Sequence, residues 1–180
     1  EGKLTLADSV TDQGVPGPQP EQKDGAHPHF ADLTPDGRLV TCDLGLDLIV
    51  VYDISDEGKL TAVSRYKSEA GFGTRHITFG KDGKFAYCVG ELSSKLEVLR
   101  YNAANGSFTH VQTLKTIPST WTAHNGAAAI RMSKDGKFIY VSNRGENTIA
   151  VFAVQPDGTV SHIQSISTEG DFPRDFNLDA

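Results

Sequence analysis

The sequence is poor in sulfur and in positive charge. Its 180 residues hold 2 cysteines, 1 methionine and 1 tryptophan. Two cysteines exclude the disulfide framework that staples small secreted domains. Cys42 and Cys88 each lie in an apolar run, LVTCDL and FAYCVG, and read as reduced, buried thiols of a cytoplasmic protein. No apolar stretch approaches the roughly 20 residues of a membrane span. The opening EGKLTLADSV lacks the basic start and apolar core of a signal peptide. Lys and Arg number 17 against 23 Asp and Glu, a formal charge of −6, and no basic run occurs. These numbers argue against nucleic acid and against an anionic membrane surface as partners. Helical periodicity is also nearly absent, which disfavours alternating strands and helices.

What is present is a set of short runs rich in Val, Ile, Phe and Tyr, bounded by Asp-Gly or Asn-Gly. LIVVYDI (48–54), KFAYCVG (84–90), KLEVLRY (95–101), KFIYVSN (137–143) and TIAVFAV (148–154) read as antiparallel strands joined by hairpins. The 18 glycines fit such turns. Three stretches align on their Asp-Gly turns, at Asp36, Asp82 and Asp135. A second turn recurs at Glu57-Gly58, Asn105-Gly106 and Asp157-Gly158. Each unit thus holds four strands, and four antiparallel strands repeating every ~40–50 residues mark the blades of a β-propeller. The fold class is therefore all-β, a single partial propeller domain of about three to four blades. Its units run approximately over 1–28 (the end of a blade), 29–75, 76–128, 129–173 and 174–180 (the start of the next). GKLTLADSV at the opening matches the fourth strand of a unit, and PRDFNLDA at the close matches the start of a first strand. A propeller needs roughly 4 to 8 blades, so the chain reads as a piece of a longer protein. Its open blade edges offer a route to pairing between copies.

Blade topology places side chains that are distant in sequence. All Asp-Gly hairpins fall at one end of the blades. The turns between strands 2 and 3, and the connections between blades, fall at the other. His29, Arg75, Ala128 and Arg174 are equivalent, each at the start of an innermost strand beside the central channel. Gly45, Glu91 and Arg144 are equivalent in the 2–3 turns. Three Arg, one His and one Glu therefore converge on one mouth, with His27, His76, His124, Asn125 and Asn143 as polar neighbours. Singly, each has a bland reading as a cap, a surface pair or a turn residue; the convergence is what singles out the set. Guanidiniums around a mouth suit a carboxylate or phosphate, and His and Glu move protons. No G-x-S-x-G elbow, H-E-x-x-H or Cys-x-x-Cys is present. No metal and no cofactor is expected, and the expected partner is an anionic small molecule.

The stretches GFGTRHITFGKDGKFAYCVGEL, AAAIRMSKDGKFIYVSNRG and FPRDFNLD resemble the lactonase family of seven-bladed propellers. That family includes the cycloisomerase-type 6-phosphogluconolactonases and the fungal carboxy-muconate lactonizing enzyme. The resemblance covers nearly the whole chain. It implies a parent about twice this length, and the active centre of the muconate branch, a His, an Arg, a Glu and a second Arg, maps by motif to His29, Arg75, Glu91 and Arg144. It implies hydrolysis of a sugar lactone, most simply 6-phosphogluconolactone, in carbohydrate metabolism and the pentose phosphate pathway. The arginines, Arg174 among them, would hold phosphate or oxyanion, and His29 or Glu91 would activate water. A muconate-type lactonizing isomerase and a non-enzymatic binding platform remain as alternatives. The chain departs from the family pattern at Thr74, where proline is usual, and at Gly90, where asparagine commonly precedes Glu-Leu.

Overall fold

The computed structural model describes residues 2–179. Among the described residues, twelve strands form three sheets, each of four antiparallel strands in simple sequence order. The first blade is β1 (Pro28–Leu33), β2 (Leu39–Asp43), β3 (Leu48–Ile54) and β4 (Leu60–Lys67). The second is β5 (Thr74–Phe79), β6 (Phe85–Gly90), β7 (Lys95–Asn102) and β8 (Ser107–Lys115). The third is β9 (Gly126–Met132), β10 (Phe138–Arg144), β11 (Thr148–Val154) and β12 (Val160–Ser167). This is the propeller-blade plan expected from the repeat.

Turn chemistry sets the meander. The hairpin glycines Gly37, Gly58, Gly83, Gly106, Gly136 and Gly158 all lie at φ between 70° and 86°, a region that costs glycine nothing and other residues much. Burial then differs by strand. The second and third strands of each blade are apolar on both faces, as in FAYCVG, every residue of which is buried. They carry the interblade cores. One core joins blades one and two through Val40, Cys42, Ile49, Phe72, Cys88 and Leu99; another joins blades two and three through Tyr87, Val89, Leu96, Ile139, Val141 and Phe152. Each large side chain so buried contributes about 1.5–3 kcal/mol. The outer strand is mostly exposed, as in β12. The cysteines are free and buried.

The two ends carry no strand in this structure. Residues 2–10 form no strand, and Leu4 and Leu6 stand in solvent. Instead the segment crosses the open face of blade one. Asp8 accepts from the Leu60 amide at 2.9 Å, Asp12 accepts from the Tyr52 hydroxyl at 2.7 Å, and the Gly17 amide donates to the Gly45 carbonyl at 2.9 Å. A short 3-10 turn, Pro20–Gln22, follows. Residues 172–179 likewise form no strand.

Candidate active site

Local backbone irregularity positions the side chains at the start of each inner strand. In β5, Thr74 pairs with Gly90 and His76 with Val89, so Arg75 is an extra residue opposite no partner. In β1, Pro28 pairs with Asp43 and Phe30 with Cys42, leaving His29 extra in the same way. In β9, Ala128 is one of two residues facing Ser142. A β-bulge at the start of every inner strand re-aims one side chain. The equivalence drawn from the sequence is thus a repeated structural device.

The bulge brings Arg75 to Glu91, just past the end of β6. Arg75 Nε donates to Glu91 Oε2 at 2.7 Å, and Arg144 Nη2 lies 2.6 Å from Glu91 Oε1. One carboxylate from blade two therefore ties together a guanidinium of its own blade and one of blade three. Arg75 is 1 % exposed and Arg144 5 %. Two guanidiniums and one carboxylate leave a net charge of +1, partly shielded from water. Burial draws Arg75 below its ordinary value, while the Glu91 charge acts against the shift; Arg75 keeps its proton. Arg144 Nε donates to the Gly126 carbonyl at 3.2 Å, and a Cβ on Gly126 would stand 2.8 Å from Arg144 Nη2. Glycine there makes the room. A pocket of about 280 Å³ opens beside the trio, lined by Gln19, Glu21, Glu91, Leu92, His124, Asn125, Gly126, Arg144 and Phe172.

The histidines flank the Arg75 guanidinium. The rings of His29 and His76 are 5.2 Å apart, and Arg75 Nη1 is 3.3 Å from His76 Nε2. Since guanidinium only donates, His76 Nε2 accepts and its proton sits on Nδ1. Both Nδ1 atoms are buried without a hydrogen-bond partner among the described residues. Burial, then the Arg75 charge, pushes His76 down to about 3. The same two causes, in the same order, lower His29, with Glu91 opposing. Both rings are neutral near pH 7.

The remaining expected residues divide. His124 is exposed and lines the pocket. Asn125 also lines it, while its side chain bonds Ser94 Oγ at 2.8 Å and the Glu146 amide at 3.1 Å. His27 is exposed, and only its backbone is engaged, through Asp43 and Leu44. Arg174 is exposed in a segment without strand structure, close enough for its charge to be felt at His29 and Arg75. Asn143 departs from its expected substrate-binding role. It is fully buried, donating to the Thr116 carbonyl at 2.9 Å and accepting from Thr116 Oγ1 at 2.8 Å. It holds blade three to the connection before it. Among the described residues no three His, Cys, Asp or Glu side chains are grouped to hold a metal.

Sequence reasoning missed the residues that hold the mouth in shape. Asp47, Ser94 and Asn147 occupy one place in the 2–3 turns, all left-handed, at φ 49°, 51° and 60°. Their carbonyls accept from Ser68, Thr116 and Thr168 at 3.0, 2.9 and 3.0 Å. The Asp47 carboxylate also accepts from Gly71 and Gly73 at 2.8 and 2.7 Å and from Gln22. The signal was a small polar residue recurring 11 or 12 positions after each turn aspartate. Both family departures are packed into this frame. Thr74 Oγ1 lies 2.6 Å from the Asp43 carbonyl and 3.1 Å from the Leu48 carbonyl, clasping blade two to blade one. A Cβ on Gly90 would stand 2.6 Å from the Phe72 carbonyl.

Comparison with known proteins agrees with this architecture. A family model described as lactonase, 7-bladed beta-propeller, matches residues 1–180. The chain is 39% identical over 161 residues to the 6-phosphogluconolactonase of Bacillus subtilis (strain 168), covering 88% of this chain and 46% of that protein. A crystal structure of a protein from Lactobacillus plantarum superposes with a TM-score of 0.96 at 58% identity, over 99% of this chain and 52% of that one. The periplasmic gluconolactonase PpgL of Pseudomonas aeruginosa superposes at 0.84 and 34% identity, over 91% of this chain and 47% of that one. The chain spans about half the length of the curated relatives it matches.

Proposed function

The chain belongs to the lactonase family of seven-bladed β-propellers, and on that premise we propose that the protein it forms hydrolyses a sugar lactone, with 6-phosphoglucono-1,5-lactone as substrate. The observation that carries the reading is the Arg75–Glu91–Arg144 trio, a net positive cluster partly shielded from water beside a pocket. Guanidiniums so held act in a low effective dielectric, where a donor aimed at developing negative charge counts most.

The chemistry asks little of the protein, since a lactone is already an activated ester. Water adds to the carbonyl carbon and passes a proton to His29, the neutral imidazole at the mouth. Negative charge gathers on the carbonyl oxygen, where a guanidinium of the trio stabilises it. The tetrahedral species collapses, the bond to the ring oxygen breaks, and that oxygen takes the proton back from His29. Glu91 has both oxygens engaged with arginines. Its role is to hold the two guanidiniums at one spacing, and the base is His29. Arg174 and His124, exposed at the rim, meet the phosphate. The same reading places the protein in the cytoplasm, where sugar phosphates are formed and where Cys42 and Cys88 stay reduced.

The test is a lactone-hydrolysis assay on the seven-bladed protein carrying this chain, with 6-phosphogluconolactone, gluconolactone and a muconolactone as substrates. The phosphorylated lactone is expected to give the highest kcat/KM. Arg144→Ala is expected to lower it by about 10²–10³, the size of effect seen when one oxyanion donor is removed. Unchanged turnover in Arg144→Ala would remove the trio from the mechanism. A preference for the muconolactone would replace the substrate.

A further inference from the structure

Phe172 lies in the left-handed region, at φ 59°. A bulky side chain there is a backbone outlier. The next residue is Pro173, and the residue before a proline is normally held extended at negative φ. The equivalent place two junctions earlier in the repeat belongs to Gly73, at φ 70°. The bonding confirms the equivalence. Asp47 accepts from the Gly73 amide at 2.7 Å, and Asn147 accepts from the Phe172 amide at 3.0 Å. One backbone posture is thus filled by glycine between blades one and two, and by phenylalanine after blade three. Folding does not ask for the aromatic ring. It belongs to none of the buried clusters and is 52 % exposed.

The side chain goes to the pocket. The Arg144 guanidinium lies over the Phe172 ring at 5.2 Å, and the ring lines the cavity with Glu91 and Leu92. A cation thus lies over one face of the ring, while the residue as a whole is half exposed. An aromatic face carries negative charge density, which favours C–H bonds directed at it. The rim of a sugar ring is polar, but its face presents C–H groups. The cavity, about 280 Å³, lies just under the usual range of small-ligand sites.

We infer that Phe172 is a specificity-determining residue, the platform on which the ring of the lactone stacks beside the Arg144–Glu91 pair. The inference rests on the lactone reading above. It assigns to this side chain the distinction between a closed ring and its open-chain hydrolysis product, whose flexible carbon backbone presents no continuous face.

Phe172→Gly and Phe172→Tyr in the seven-bladed protein test it. Glycine adopts positive φ freely, so Phe172→Gly is expected to keep the melting temperature of the parent or raise it. Its KM for the lactone is expected to rise about tenfold with kcat little changed, the size of one aromatic contact. Calorimetric affinity for the δ-lactam isostere, a ring that does not hydrolyse, is expected to fall equally, while affinity for the open-chain aldonate stays the same. Phe172→Tyr keeps the platform and is expected to match wild type within about twofold. The inference is overturned if Phe172→Gly leaves KM and lactam affinity unchanged. It is also overturned if ring and open-chain ligands are lost together with thermal stability. A wild-type protein that binds the lactam through Phe172 yet hydrolyses no lactone would support the platform and sink the hydrolase. One that turns over lactone with a Phe172-independent KM would do the reverse. One that neither binds nor hydrolyses would overturn both.

Discussion

Replacing Glu91 by glutamine should destabilise the fold as well as the chemistry. The carboxylate lies 2.7 Å from Arg75 Nε and 2.6 Å from Arg144 Nη2, and the two guanidiniums are 1 % and 5 % exposed at the residue level. Glutamine is close in shape but cancels the one negative charge between them, and its amide offers hydrogens to donors. Removing one partner of a buried ion pair costs about 3–5 kcal/mol. The Glu91 side chain is 21 % exposed, so water recovers part of that, and about 3 kcal/mol is the working figure. For a domain of this size each kcal/mol moves the melting temperature by about 2–4 °C. The expected loss is therefore about 6–12 °C, read by circular dichroism on the 180-residue chain. A second measurement separates this cause from general damage. If the cost is two guanidiniums left without a counter-charge, Arg144→Met should recover part of it in the Glu91→Gln background, with a coupling of at least about 1 kcal/mol. A Glu91→Gln melting temperature within 2 °C of wild type, or additive losses in the double variant, would refute the reasoning.

Two further outcomes concern protons. With His29 as base, the reaction needs the neutral ring, and burial together with Arg75 lowers its value from 6.5. The pH profile of kcat/KM should thus stay flat through 6.5 and fall only at lower pH; a midpoint at or above 6.5 would remove His29 as the base. Glu97 is 3 % exposed between blades one and two, accepts from Tyr66 at 2.9 Å and Ser68 at 2.8 Å, and burial raises it above 4.5. A raised acid contributes stability that is full below 4.5 and is lost as pH rises through the folded value. Glu97→Gln should therefore melt at or above wild type at pH 7.5, and lose that advantage near pH 4. A variant equally destabilised at both pH values would show that the carboxyl is not the source.

The fold was legible because its information is local and repeated. Asp36, Asp82 and Asp135 mark one hairpin three times, and the strands LIVVYDI and TIAVFAV occupy the residues their apolar runs occupy. The same alignment brought Arg75, Glu91 and Arg144 together without any knowledge of distance. What it did not reach depends on neighbours. GKLTLADSV has the pattern of an outer strand, and pairing is a property of two strands. Asn143 has the right place in the repeat, yet Thr116 engages it from a connection that obeys no repeat. Phe172 escaped because glycine in an equivalent place gave no reason to look for an aromatic ring.

The bulge that opens each inner strand has a wider consequence. Its extra residue faces no partner in the neighbouring strand, so the sheet is indifferent to what that residue carries. The chain shows this directly, with imidazole at His29, guanidinium at Arg75 and a bare methyl in the corresponding stretch at Ala128, on three blades of one plan. Around a closed ring such positions form a panel facing one channel, each able to change without its sheet being rebuilt. A propeller of this kind can acquire a new substrate by rewriting the panel while the blades behind it stay the same.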